Sequence, residues 1–358
     1  MRYFIYTLSF FLIEFCSCNS PDKLLETTST VSETANSSQI STNLICEDPY
    51  FDQAFHEMQE MLDGHRDLDF KRSAFLIEWA YEQAELNYSL FTQEISRIAF
   101  EVESFVEAKG LGHYRTARNY ALFEFFTKPH PMNGYQPYTY DFDDFYGEID
   151  YRNVFVTNLL RTHQGQCRSM PMLYKILSDE IGADSYLTLG PNHLFIKHLD
   201  EDGKWVNIEL TNGHFATDSW MISSMDISAE SIRNGVYMKE LSLEESVAFC
   251  LVELALAYTH KYDYDSLSIA ACNKALEYFP NCISALMHKA NTLSQMGKAY
   301  IEKQGPELTP FLEKNYAEYQ AVEAKMITLG FREMTPDKYA AWVRSMEEER
   351  AIKRFAAP

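Results

Sequence analysis

Cys167, His193 and Glu209 are a thiol, an imidazole and a carboxylate in segments whose local structure could bring them together. A thiolate attacks an acyl carbon, an imidazole moves the proton, and a carboxylate holds the ring in one tautomer. After Cys167 the apolar residues Met170, Leu173, Tyr174, Ile176, Leu177 and Ile181 recur as on one face of a buried helix. Gly182 reads as its C-cap. Pro171 falls in the first turn, where the missing N–H removes little because most first-turn donors lack intrahelical partners. Cys167 thus stands where the helix should begin. Free N–H groups, the positive end of the helix dipole and the neighbouring Arg168 all favour thiolate over thiol there.

Downstream, Tyr186 to Leu189 and His193 to His198 read as strands, Asp200 to Gly203 as a hairpin turn, and Trp205 to Leu210 as the returning strand. Alternation gives His193, Phe195 and Lys197 one face, and gives Trp205, Asn207 and Glu209 one face. Folding the hairpin about Glu201 predicts Glu209 opposite His193, within one residue of register. Backbone N–H groups near Cys167, with the Gln166 or Asn192 side chain, are the candidates to steady an oxyanion. Cys167, His193, His198 and Glu209 could also suggest a metal site. However, His193 and His198 differ by an odd number and so point to opposite faces of a strand, and no C-x-x-C or H-E-x-x-H accompanies them. Neither a metal nor a cofactor is expected. His163 and His214 flank the site and read as loop histidines.

The pattern G-x-C, a helix, H on a strand, then W-x-x-x-(D/E)-x-T resembles the transglutaminase-like branch of the papain-fold superfamily. Cys167, His193, Trp205, Glu209 and Thr211 fall on its marks. More narrowly, the helices before the cysteine and the repeat-like tail resemble SirB-type bacterial transglutaminase-like proteins with tetratricopeptide repeats, over residues 65–300. The resemblance implies an α+β fold: a papain/transglutaminase-like core, its Cys-bearing helix packed on an antiparallel sheet, preceded by helices and followed by an all-α tetratricopeptide-like domain. It implies thiol-dependent amide hydrolysis or acyl transfer on a peptide or protein substrate, with Cys167 as nucleophile and His193 as base. The superfamily's usual third member is Asp, so both Glu209 and Asn207 stand as candidates to orient the ring. Superfamily members include peptidases, amidases, acyltransferases and proteins without catalysis. The alternative is therefore a non-catalytic binding or scaffold protein that uses the cleft and the helical repeats, and cell-envelope remodelling is a third reading.

The 358-residue chain has 31 basic against 52 acidic residues and a formal charge of −21. That balance argues against nucleic acid as a partner, because phosphate binding needs a basic surface. It argues equally against adhesion of the folded part to anionic lipid. Residues 1–18 pair Arg2 with a short apolar run that ends Phe15-Cys16-Ser17-Cys18, which looks like a bacterial lipoprotein signal with lipid on Cys18. The expected location is the cell envelope, with membrane contact through that anchor only; an ordinary cleaved signal would instead release the chain to the periplasm. Residues 19–46, rich in Ser, Thr and Glu, read as a flexible tether. Cys46, Cys167, Cys250, Cys272 and Cys282 remain, an odd set without disulfide-scaffold spacing.

Residues 47–240 read as the transglutaminase-like domain with its leading helices. Phe51, Phe55, Met58 and Leu62 make one helical stripe, and Phe91, Ile95, Ile98, Val102 and Phe105 a second. The stretch between them is apolar nearly all round, as in a buried helix, and a further helix runs from Tyr114 to Phe126. Tyr135 to Tyr151 mixes seven aromatics with five acids and no base. It reads either as a loop lining the cleft for a cationic or sugar-like group, or as a loop packed over the first helices. Asn153 to Arg161 predicts a short helix, and Trp220 to Leu241 should complete the sheet or its edge. Residues 241–350 read as the tetratricopeptide-like domain, one good repeat and part of another, with Ala290 at the small-residue place and a helical cap to Arg350. That domain offers a docking surface for a protein partner.

Overall fold

Aspartate and asparagine caps set the helical frame. The computed structural model describes residues 46–144 and 146–332, with isolated positions beyond. Asp48 accepts from Tyr50 N and Phe51 N and starts α1 (Pro49–Leu62), with proline at its first position. Asp69 caps α2 (Phe70–Tyr81) and Asn87 caps α3 (Tyr88–Ala108). Both predicted stripes are buried: Phe51, Phe55, Met58 and Leu62 on α1, and Phe91, Ile95, Ile98, Val102 and Phe105 on α3. Helix α4 (Ala117–Thr127) follows. Burial of one such Phe or Leu contributes about 2–3 kcal/mol, against ~0–1 for an exposed ion pair, so apolar packing holds this frame.

The Tyr-rich stretch is not a free loop. It contributes strand β1 (Thr139–Tyr140), which pairs in parallel with β2 (Gln164–Gly165), and α5 (Val156–Thr162) lies between them in the chain. Helix α6 (Ser169–Glu180) comes next and packs against α2, α3, α4 and α5. Tyr174 at its centre is fully buried, and its hydroxyl donates to the Asn119 carbonyl at 3.0 Å, so the buried polar atom is satisfied.

Strands β3 (Tyr186–Gly190), β4 (His193–Leu199), β5 (Trp205–Glu209) and β6 (His214–Ala216) form an antiparallel sheet in that order. Helix α6 lies on β3 and β4. The segment from Trp220 departs from expectation. Thr217 accepts from Trp220 N and caps α7 (Asp218–Ser224), so Trp220 sits on a helix and is exposed, and α8 (Ala229–Arg233) follows. The end of the segment bonds to the sheet, where Met238 N donates to Leu189 O and Leu241 N to Leu187 O along the β3 edge.

Ser242 and Glu245 form a capping box that starts α9 (Leu243–Lys261). Helices α10 (Ser266–Tyr278), α11 (Ile283–Gln304) and α12 (Pro310–Thr328) complete an all-helical region in which Ala290 is buried. Helix α9 packs on α10 and α11 and also on α1 and α2, so the two ends of the described chain share one apolar interior. The architecture is mixed α+β: helices, a four-stranded antiparallel sheet, then helices. Among the described residues no helix is long and apolar enough to cross a membrane. Cys18, the signal and nearly all of the tether lie outside the described residues, as does most of the helical cap expected to reach Arg350.

Candidate active site

Cys167 occupies the turn that opens α6, where Met170 N donates to Gln166 O and Met172 N to Arg168 O. The turn is tight because Gly165 leaves no room: an added Cβ would stand 2.6 Å from Leu159 Cδ1 and 2.7 Å from Ser169 Oγ. The Ser169 hydroxyl accepts from Gln166 N at 3.1 Å and locks the same turn. Cys167 is partly exposed, and its sulfur lies 3.9 Å from the Asn192 carbonyl oxygen, a contact long even for a thiol donor. That contact ties the α6 N-terminus to the start of β4. It is the juxtaposition that residue spacing alone could not supply.

His193 meets Glu209 at 2.6 Å between Nε2 and Oε2, with the Glu209 side chain almost fully covered. Burial would push the Glu209 carboxyl up, but the His193 charge and hydrogen bonds from His193 and Thr211 outweigh it and hold the group below its usual range. The carboxylate is therefore the acceptor and Nε2–H the donor, which leaves Nδ1 for the thiol. Burial likewise opposes charge on His193, yet the Glu209 charge and bonding to Cys167 and Glu209 raise its pKa well above the ordinary value. Thr211 fixes the far oxygen of the carboxylate, donating from N at 3.0 Å and from Oγ1 at 2.6 Å.

The hairpin register differs from expectation by two residues. Lys197 pairs with Asn207 and Ile196 with Ile208, which centres the turn on Asp202 and sets Phe195, not His193, across from Glu209. The wider turn closes through Asp200 N to Lys204 O at 2.8 Å. An even shift preserves the face, so Glu209 still reaches His193 along the diagonal. Asn207 does not orient the ring. Its Nδ2 donates to Ala216 O and to Asp218 Oδ1, fixing β5 to β6 and to the start of α7.

Gln166 Nε2 is buried and has no hydrogen-bond partner among the described residues. Asn192, in a left-handed conformation at φ 51°, meets the sulfur through its carbonyl oxygen. His198 lies on the opposite face of β4, buried, and no group of His, Cys, Asp or Glu suited to a metal occurs among the described residues. His163 stacks on Tyr138 at 4.7 Å, and His214, expected in a loop, lies on β6 paired with Glu209 and packs against Trp220.

Of two further neighbours, Arg168 was named from sequence for its charge and Tyr140 was not singled out. Arg168, beside Cys167, faces Glu253 of α9 at 3.6 Å, and the Glu253 charge keeps the guanidinium firmly protonated. Tyr140 on β1 is buried, and after burial itself the charges of Cys167 and Glu209 hold its hydroxyl well above the usual phenol range. Cys250, Cys272 and Cys282 are buried, and burial pushes the Cys282 thiol up to about 12. No protein-family model, curated protein or solved structure matches this chain.

Proposed function

We propose that the chain is a transglutaminase-like cysteine hydrolase or acyltransferase, acting on an amide or ester carbonyl of a peptide-like substrate. The observation that carries this reading is the His193–Glu209 pair at 2.6 Å, with the Cys167 sulfur 3.9 Å from the carbonyl oxygen of Asn192, the residue before His193. His193 Nδ1 takes the thiol proton, and the sulfur attacks the acyl carbon. Collapse of the tetrahedral intermediate breaks the carbon–nitrogen bond, and His193 gives its proton to the leaving amine. Water or a second amine then takes the acyl group from sulfur. Glu209 keeps Nε2–H fixed throughout, and Thr211 keeps Glu209 fixed.

The order of parts also supports the superfamily resemblance: a cysteine at a helix start, then histidine and carboxylate on successive antiparallel strands. The helical pairs after Ser242, with Ala290 buried between them and their neighbours, support the tetratricopeptide-like reading of the tail. The proposed setting is the cell envelope, and the Cys18 anchor rests on the sequence of the signal alone.

The test is acyl-enzyme formation on p-nitrophenyl acetate, followed by mass spectrometry of the Cys167 peptide. Acylation that Cys167→Ala abolishes supports the reading, and faster release on adding a primary amine marks a transferase. Acylation no faster than in Cys167→Ala overturns it and leaves the non-catalytic binding protein.

A further inference from the structure

Attack by Cys167 leaves a negative oxygen on the former carbonyl; of the two side chains named from sequence to meet it, the Gln166 amide nitrogen is buried without a partner among the described residues, and Asn192 meets the sulfur through its backbone carbonyl. The Tyr-rich stretch supplies another group. Tyr140 pairs with Gly165, two residues before the nucleophile, and the next residue's N–H, from Asp141, donates to Gly165 O at 2.7 Å. Strand β1 is thus bonded directly to the chain that bears Cys167. The Tyr140 ring is 7% exposed and packs edge-on against Phe142 at 4.8 Å, which limits its swing.

We propose that the Tyr140 hydroxyl is the side-chain oxyanion donor of this site, acting with the backbone N–H of Cys167. This inference rests on the acyl-transfer reading of Cys167. Burial first, and then the Cys167 and Glu209 charges, keep the phenol protonated, so the group is a donor throughout the working range. A neutral donor suits the task. It adds little attraction for an uncharged carbonyl and more for the alkoxide, which favours the transition state over the ground state. In the step itself the carbon–sulfur bond forms and the carbonyl π pair moves to oxygen, where Tyr140 O–H holds it. The pair then returns, the carbon–leaving-group bond breaks, and the leaving group departs with that bond's electrons, taking the His193 proton if it is an amine.

Tyr140→Phe removes only the oxygen, and two reagents separate catalysis from structure. Iodoacetamide alkylates Cys167 by displacement at a saturated carbon, with no oxyanion. p-Nitrophenyl acetate acylates it through a tetrahedral oxyanion. In the full chain, Tyr140→Phe is expected to alkylate within about 2-fold of wild type and to acylate about 10²-fold more slowly, the range seen on removing one oxyanion donor. Acylation at the wild-type rate overturns the proposal while leaving the acyl-transfer reading intact. An equal fall with both reagents also overturns it, by showing a structural role. Wild-type acylation no faster than in Cys167→Ala overturns the acyl-transfer reading and this inference with it.

Discussion

At the scale of the residue, the site depends on one methylene. Glu209 lies diagonally from His193 in the observed register, and its side chain spans that offset to close at 2.6 Å. Glu209→Asp, shorter by one carbon, is expected to lose the bond and to lower the neutral-pH alkylation rate of Cys167 about 10-fold, an amount typical of lost base orientation. Glu209→Gln keeps the length and removes the charge. His193, raised in the folded chain, contributes stability that is present below about pH 6.5 and lost as pH rises through its folded value. Glu209, lowered, contributes stability that is present above about pH 4.5 and lost as pH falls through its folded value. Glu209→Gln should forfeit both contributions and move the His193 titration down, which NMR of the ring protons can read. An unmoved titration would show that another group sets the His193 charge.

At the scale of the element, the turn before α6 is the part most sensitive to a small change. Gly165→Ala must displace Leu159 or Ser169, and overpacking of this kind costs about 1–3 kcal/mol. The expected result is a lower Tm together with slower Cys167 alkylation; an unchanged rate would separate the turn from thiol placement. Helix α6 and strands β3 to β5 were legible because their signals are local: apolar period, Gly182, and alternation about a turn. The register was not, because Asp200 and Lys204 close a wider loop that residue types alone do not specify. His193 and Glu209 still meet despite that error because a two-residue shift keeps the face. Asn207 was misassigned as a ring-orienting candidate because its amide serves β6 and α7. An amide in sequence does not reveal whether it will serve a neighbouring element. Tyr140 was hidden among the Tyr-rich residues because only its pairing with Gly165 selects it.

At the scale of the whole molecule, the helical region meets both the leading helices and the site, through α9 against α1 and α2 and through Glu253 beside Arg168. Its stability should depend on pH at His288. Burial lowers that imidazole to about 4, with a backbone bond to Ala255 opposing. The unfolded chain then binds the proton more readily, so stability falls as pH drops from about 6.5 toward 4, by up to about 3 kcal/mol. Urea unfolding at neutral and mildly acidic pH should show the loss, and His288→Asn should flatten it; a wild type with equal stability at both would contradict the assignment. The central claim, that Cys167 works with His193, is tested most directly by the rate of Cys167 alkylation against pH, read on its own peptide by mass spectrometry. The account predicts that the folded chain reacts faster near pH 6 than the same chain in urea, and that His193→Ala abolishes the difference. Equal rates in folded and unfolded chains, or a His193→Ala variant as reactive as wild type, would contradict it.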